Sequence, residues 1–199
     1  MSGHYFTLAS HAQGLYKEKG SKFLGFAYPV KNTLQVEQRL TRLVKLHHKA
    51  RHHCYAYVLG NLGDDFRSND AGEPKHSAGD PILGQIRSFG LTYVLVVVVR
   101  YFGGTKLGIS GLVNAYRETA RQTLSASSII KKEPFEIWLL TFGYPDTNEV
   151  MRLVKELDLI VVEQNFLEQC SIKLQVPESK QTQIQGRLDS ILNVVVEIL

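Results

Sequence analysis

Apolar and polar residues change rhythm several times along the chain. Short alternating runs at His4–Ala9, Gly14–Lys19 and Lys22–Val30 predict strands, with Gly20-Ser21 turning between the last two. From Asn32, a residue suited to capping a helix, apolar positions recur at Val36, Leu40, Leu43 and Val44 and reach His47, the spacing of one helical face. Cys54–Leu59 reads as a strand, and Pro81 suits the first turn of a helix that runs to about Phe89 and stops at Gly90. Thr92–Arg100 is apolar at every position from 93 to 99, which predicts a strand buried on both faces. A glycine-rich turn, Gly103 to Gly108, then leads into a helix from about Ile109 to Ser125.

Ser125–Pro134, small and charged residues ending at a proline, reads as a linker. Beyond it the rhythm is regular. Phe135, Ile137 and Leu139 alternate as a strand, and Asp146 with Glu149 has the spacing of a capping box ahead of the helical stripe Val150, Leu153, Val154 and Leu157. Leu159–Val162 and the strict alternation Cys170, Ile172, Leu174, Val176 give two more strands. Pro177 opens a helix carrying Ile184, Leu188 and Ile191, and Val194–Ile198 closes the series. That order, β-α-β-β-α-β, is the ferredoxin-like plan. The fold class is therefore α+β, with one domain over 1–130 and a second over 131–199.

Charge divides along the same line. Residues 1–130 hold 16 Lys+Arg against 8 Asp+Glu, and residues 131–199 hold 7 against 11. All seven histidines lie in the first part. A basic unit joined to an acidic one points to different partners for each, with any polyanion belonging to the first. Hydrophobic residues make up 44% and charged residues 21%, which excludes a disordered tail or a collagen-like repeat. Two cysteines without CxxC spacing, Cys54 and Cys170, exclude a disulfide scaffold and suit a reducing compartment. The opening stretch lacks the apolar run of a signal peptide, and Tyr93–Val99 falls far short of the roughly 20 residues a membrane helix needs. The expectation is a soluble cytoplasmic protein without a membrane partner.

Three stretches could carry chemistry. The turn from Arg100 to Gly111 joins a buried strand to a helix; free N–H groups at the helix start, with Arg100 and Lys106, would attract an anion. Gly103, Gly104, Gly108 and Gly111 fit neither a P-loop nor a dinucleotide fingerprint, and could equally serve a tight turn. The run His47-His48-Lys49-Ala50-Arg51-His52-His53-Cys54 brings at most two ligands to one face of a strand, too few for structural zinc, so no metal is assigned there. Gly60–Asp80 reads as a loop of unusual length, functional or mobile, holding five of the eight acids of its domain. Asp70 and Glu73, with His76 beside them, are candidates for holding Mg²⁺ near phosphate, the one cofactor considered; the acids of this loop could instead pair with arginines of the same domain or stay solvated. Ser68 or Ser77 with His76 or His52 would be the hydrolase alternative, although no nucleophile elbow accompanies them.

Read together, Ala50–Tyr57, Ser68–Pro81 and Val97–Gly108 resemble the YigZ/IMPACT family, in order and at the expected spacing over roughly residues 15–125. The resemblance implies an N-terminal α+β domain like the second domain found in a small-subunit ribosomal protein, a domain type found also in elongation factor G. It also implies a C-terminal ferredoxin-like domain similar to the last domain of that factor. It brings no enzyme chemistry. The family's usual run Asn-Asp-Asp-Gly-Glu-Pro-Ser-Gly-Thr-Ala-Gly is altered here. Ala71 replaces the second acid, Lys75-His76-Ser77 replaces Ser-Gly-Thr, and Asp80 stands where a basic residue is common. The expected function is a non-enzymatic role in translation or its regulation. RNA or the ribosome would be bound through His52, Arg100, Gly103, Gly104, Lys106, Gly108 and Gly111. The alternatives are a hydrolase acting on a small phosphorylated substrate and an adaptor that binds a protein through the acidic domain.

Overall fold

The computed structural model describes residues 3–167, 169–191 and 193–199. Contacts divide the chain into two compact units, Tyr5–Lys132 and Glu133–Leu199, the latter joined by Gly3 and His4. Both are α+β.

In the first unit the elements are β1 (Tyr5–Leu8), β2 (Ala12–Glu18), β3 (Ser21–Pro29), α1 (Thr33–Leu46), β4 (His52–Leu59) and β5 (Asp65–Asn69). They continue with α2 (Gly79–Ser88), β6 (Val94–Tyr101), α3 (Gly108–Ser125) and β7 (Ile129–Lys132). Five strands form an antiparallel sheet in the order β2-β3-β6-β4-β5. Strand β6 lies at its centre, and Val94 through Val99 are wholly buried. Their side chains alternate between two cores, as a period of two requires. Val94, Val96 and Val98 meet α2 and α3 through Ile82, Ile86, Leu112 and Tyr116. Leu95, Val97 and Val99 pack with Val36 and Leu43 of α1. The unit is thus three layers deep, which is why β6 carries no polar residue until Arg100. Asn32 does cap α1, its Oδ1 accepting the Gln35 N–H at 3.0 Å.

Two expectations fail in this unit. Gly60–Asp80 is not one long loop, because Asp65–Asn69 pairs antiparallel with β4 as the sheet's edge. Its sequence, Asp-Phe-Arg-Ser-Asn, lacks the apolar alternation of a half-buried strand, and its residues are largely exposed. Ser125–Pro134 is not a plain linker either. Ile129–Lys132 pairs with Tyr5–Leu8, so the chain returns to the first unit before it leaves. Lys131 and Lys132 then count with the basic unit.

The second unit runs β8 (Phe135–Gly143), α4 (Thr147–Glu156), β9 (Ile160–Phe166), β10 (Gln169–Pro177), α5 (Gln181–Leu188) and β11 (Val195–Ile198). Its antiparallel sheet has the order β11-β8-β10-β9. Trp138, Leu140 and Phe142 with Ile172, Leu174 and Val176 face Val150, Leu153, Ile184 and Leu188 of the helices. The capping box does not form. Asp146 already has helical dihedrals (φ −85°, ψ −5°), ending a 3₁₀ turn over Tyr144–Asp146, and its side chain makes no capping bond. Pro177 precedes a 3₁₀ turn, Glu178–Lys180, before α5 begins, and α5 ends short of Ile191. No helix among the described residues is long and apolar enough to cross a membrane.

Candidate functional site

The candidate residues converge where β6 runs out of the sheet of the first unit. Phe23, Arg100 and His52 are direct neighbours across β3, β6 and β4 and lie on the face covered by α2 and α3. The acidic turn folds over this row and is tied to it by four side chains. His52 Nδ1 lies 3.0 Å from the Ala71 carbonyl, which only accepts, so Nδ1 carries the proton. The Cys54 thiol donates to the Asp70 carbonyl at 3.0 Å. Arg100 Nη1 and Tyr116 Oη both donate to Glu73 Oε1, at 2.6 and 2.8 Å. The Arg100–Glu73 pair is buried, and Arg100 Nε has no partner among the described residues.

The acids therefore face inward. Asp70 Oδ1 accepts the N–H groups of Ala78 and Gly79 at 2.9 and 2.8 Å, and Oδ2 accepts that of His76 at 2.8 Å. Ala78 provides no side-chain cap for α2, so Asp70 serves the helix start from eight residues upstream, with a negative charge where the dipole favours one. Glu73 is consumed by Arg100 and Tyr116. The two carboxylates proposed for Mg²⁺ thus do structural work, and among the described residues no cluster of three metal-binding side chains occurs. Ala71 and His76 take left-handed backbone (φ 44° and 64°), as does Gly72 (φ 86°), so the turn is held in conformations that side chains resist.

Burial governs the ionisable groups beneath it. It pushes the Cys54 thiol up to about 12, against a smaller opposing pull from Tyr116. Burial likewise raises the Tyr116 phenol, with Cys54 and Glu73 adding to it. A thiol so raised is a core residue and not a nucleophile. Neither serine hydroxyl hydrogen-bonds a histidine among the described residues. Ser77 is buried and donates to the Pro74 carbonyl at 2.6 Å. Ser68 donates to Asp80, whose other oxygen takes the His76 ring, both at 2.6 Å. The carboxylate lies between serine and histidine, so the histidine cannot take the serine's proton.

The glycine turn divides by task. A Cβ on Gly103 would lie 1.9 Å from the Gly20 carbonyl carbon, and the Gly103 N–H donates to Ser21 Oγ at 3.1 Å. Gly103 therefore serves the close approach of the β2–β3 turn. Gly104 and Gly108 are open to solvent at φ 89° and 71°, and Gly111 packs on Leu107. Gly108 begins α3, which has no side-chain cap and no acid in its first turn.

Beside that uncapped end is a cleft of about 820 Å³. Lys49, Arg51, His52, Lys106, Gly108 and Ile109 line it, with Glu73, Arg100 and Phe102 among the rest. Lys49, Arg51 and Lys106 are exposed, and none is within salt-bridge distance of an acid among the described residues. Glu73 is the sole acid of the lining, and Arg100 has already neutralised it. Arg51 and Lys49 were missed from sequence because only the fold carries the end of α1 and the start of β4 beside the α3 turn.

Comparison with known proteins finds both sequence and structural relatives of the chain. Residues 19–124 match the Impact N-terminal domain. The chain is 31% identical over 144 residues to the IMPACT family member YigZ of Escherichia coli (strain K12), covering 71% of each. It is 35% identical to an IMPACT family member of Thermus thermophilus, over 79% of this chain and 84% of that one. It is 27% identical to the IMPACT family member YvyE of Bacillus subtilis (strain 168), over 88% and 81%. A crystal structure described only as that of a hypothetical protein superposes with a TM-score of 0.77 at 25% identity, covering 100% of this chain and 98% of its own.

Proposed function

The chain belongs to the IMPACT family, and from that premise we propose that it is a non-enzymatic, cytoplasmic protein of translation or its regulation. Its basic unit binds RNA, alone or in the ribosome. The observation that carries this reading is the cleft at the start of α3, where Lys49, Arg51 and Lys106 hold charge that no acid in the lining offsets. Fixed cations beside free helix N–H groups suit phosphate. The unit Tyr5–Lys132 holds 18 Lys+Arg against 8 Asp+Glu, which adds a long-range attraction for polyanions.

The finer fold names belong to the same proposal. The order β-α-β-β-α-β and the sheet order β11-β8-β10-β9 support a ferredoxin-like domain like the last domain of elongation factor G. The first unit is proposed to be like the second domain of a small-subunit ribosomal protein. The acidic second unit is proposed to bind protein.

Co-sedimentation with ribosomes at low and moderate salt tests the reading. Pelleting should fall steeply with salt, and Lys106→Glu and Arg51→Glu should each weaken it, with a shallower salt slope. Pelleting that ignores both substitutions, or none at low salt, would overturn it.

A further inference from the structure

Phe102 is left unused by the phosphate reading. It follows directly on the buried strand β6, yet the residue is 59% exposed. It lines both the cleft described above and a second one of about 620 Å³ bounded by Leu15, Lys17, Lys22, His47 and Tyr101. The ring therefore stands on a ridge, with Lys49, Arg51 and Lys106 to one side and Lys17 and Lys22 to the other. Arg100 lies over it with its guanidinium carbon 5.6 Å from the ring centroid, a cation–π contact that supports the ring from the core.

The second cleft has its own signal. Lys17 and Lys22 are directly opposed across β2 and β3, and Lys22 is in turn opposite Tyr101. Like charges in that position repel and weaken a hairpin. Neither lysine is within salt-bridge distance of an acid among the described residues. Folding gains nothing from this pair; an anion lying across the ridge would relieve it. An exposed aromatic ring between two sets of unpaired cations is how proteins hold a strand whose bases are free to stack. A duplex hides its base faces and has no use for the ring.

We infer that Phe102 is a stacking platform for an unpaired base of single-stranded RNA, whose flanking phosphates lie against Lys49, Arg51 and Lys106 on one side and Lys17 and Lys22 on the other. This rests on the polyanion reading and adds to it the state of the nucleic acid.

The test uses the full chain and fluorescence anisotropy with three labelled probes: an oligouridylate of about ten nucleotides, an abasic strand of equal length, and an RNA duplex of equal length. Phe102→Ala should weaken the oligouridylate about ten-fold or more with an unchanged salt slope, because stacking releases no counterions. It should leave the abasic strand and the duplex as they were, and Phe102→Trp should retain the wild-type affinity. Equal binding of oligouridylate by wild type and Phe102→Ala, while Lys106→Glu weakens it, would overturn the platform and spare the polyanion reading. Equal losses on all three probes would also overturn the platform. Binding of none of them at low salt would overturn both.

Discussion

Glu73 and Arg100 meet at 2.6 Å with 4% and 8% of their side chains exposed, and the contact is made at one point. Nη1 alone reaches Oε1, which also accepts from Tyr116, while Arg100 Nε stays unpartnered among the described residues. A buried pair of this kind adds little net stability when intact, because desolvating both charges offsets their attraction; losing one member is what costs. Glu73→Ala should therefore lower the stability by about 3–5 kcal/mol in urea denaturation, since it strands a buried cation. Glu73→Leu combined with Arg100→Met should recover most of that loss. A single variant close to wild type would mean that water reaches Arg100 once Glu73 is gone.

Asp70 has a different task, accepting three backbone N–H groups at the start of α2. Asp70→Ala leaves those donors without a partner and removes a favourable charge from the helix start, so a loss of about 2–3 kcal/mol is expected. Asp70→Asn keeps one acceptor and should lose about half as much. Adding Mg²⁺ to the wild type should leave its melting temperature unchanged, because a carboxylate already saturated by N–H groups has little to offer a cation. A marked rise in melting temperature that Asp70→Asn abolishes would return Asp70 to the role of metal ligand.

The central strand, its double-sided burial, the capped α1 and the order of the second unit were legible because each rests on a local period that burial enforces. Strands β5 and β7 were not, since an edge strand needs only backbone partners, and Asp-Phe-Arg-Ser-Asn and Ile-Ile-Lys-Lys carry no two-residue rhythm. Of the roles open to the acids of the turn, pairing with an arginine is the one that Glu73 takes, and which partner each acid meets was not legible for a related reason. Asp70, Glu73 and Arg100 look like free charges along the chain, yet their partners lie 6 to 43 residues away and are brought in only by the fold. Lys106 was legible as an exposed cation; Lys49 and Arg51 became its neighbours only when α1 and β4 were packed against the same end of the sheet.

His47 and His53 should make stability depend on pH. Burial holds both rings below their ordinary value of 6.5, and for His53 the neighbouring His47 and His52 add to it. His47 Nδ1 is 2.9 Å from Tyr101 Oη, while Nε2 of each histidine is buried without a partner among the described residues. The unfolded chain takes up protons near 6.5 when the folded chain does not. The contribution is thus whole above that value and lost as pH falls below it toward the folded-state values. The urea midpoint should drop as pH falls from about 7 to about 5, each histidine steepening the loss by at most about 1.4 kcal/mol per pH unit. His53→Gln and His47→Gln should flatten the profile. Unaltered slopes in both would mean that these rings titrate alike in the folded and unfolded chains.

His76 and Asp80 lie four residues apart and reach toward each other. His76 holds φ 64°, a backbone that a glycine adopts freely. Its ring donates to Asp80 at 2.6 Å, and Ser68, then His76, hold the Asp80 carboxyl below its ordinary range. Both side chains are well exposed, 64% and 48%, so the pair contributes at most about 1 kcal/mol, comparable to the cost of a left-handed residue that is not glycine. His76→Gly trades one term for the other and should leave stability within about 0.5 kcal/mol of wild type. His76→Ala loses the pair and keeps the strained backbone, so it should be about 1 kcal/mol less stable than His76→Gly. Paired urea titrations of the two variants read that difference directly. Equal losses in both would mean that the ion pair, and not the backbone, limits the turn; in that case high salt should weaken the wild type toward the variants.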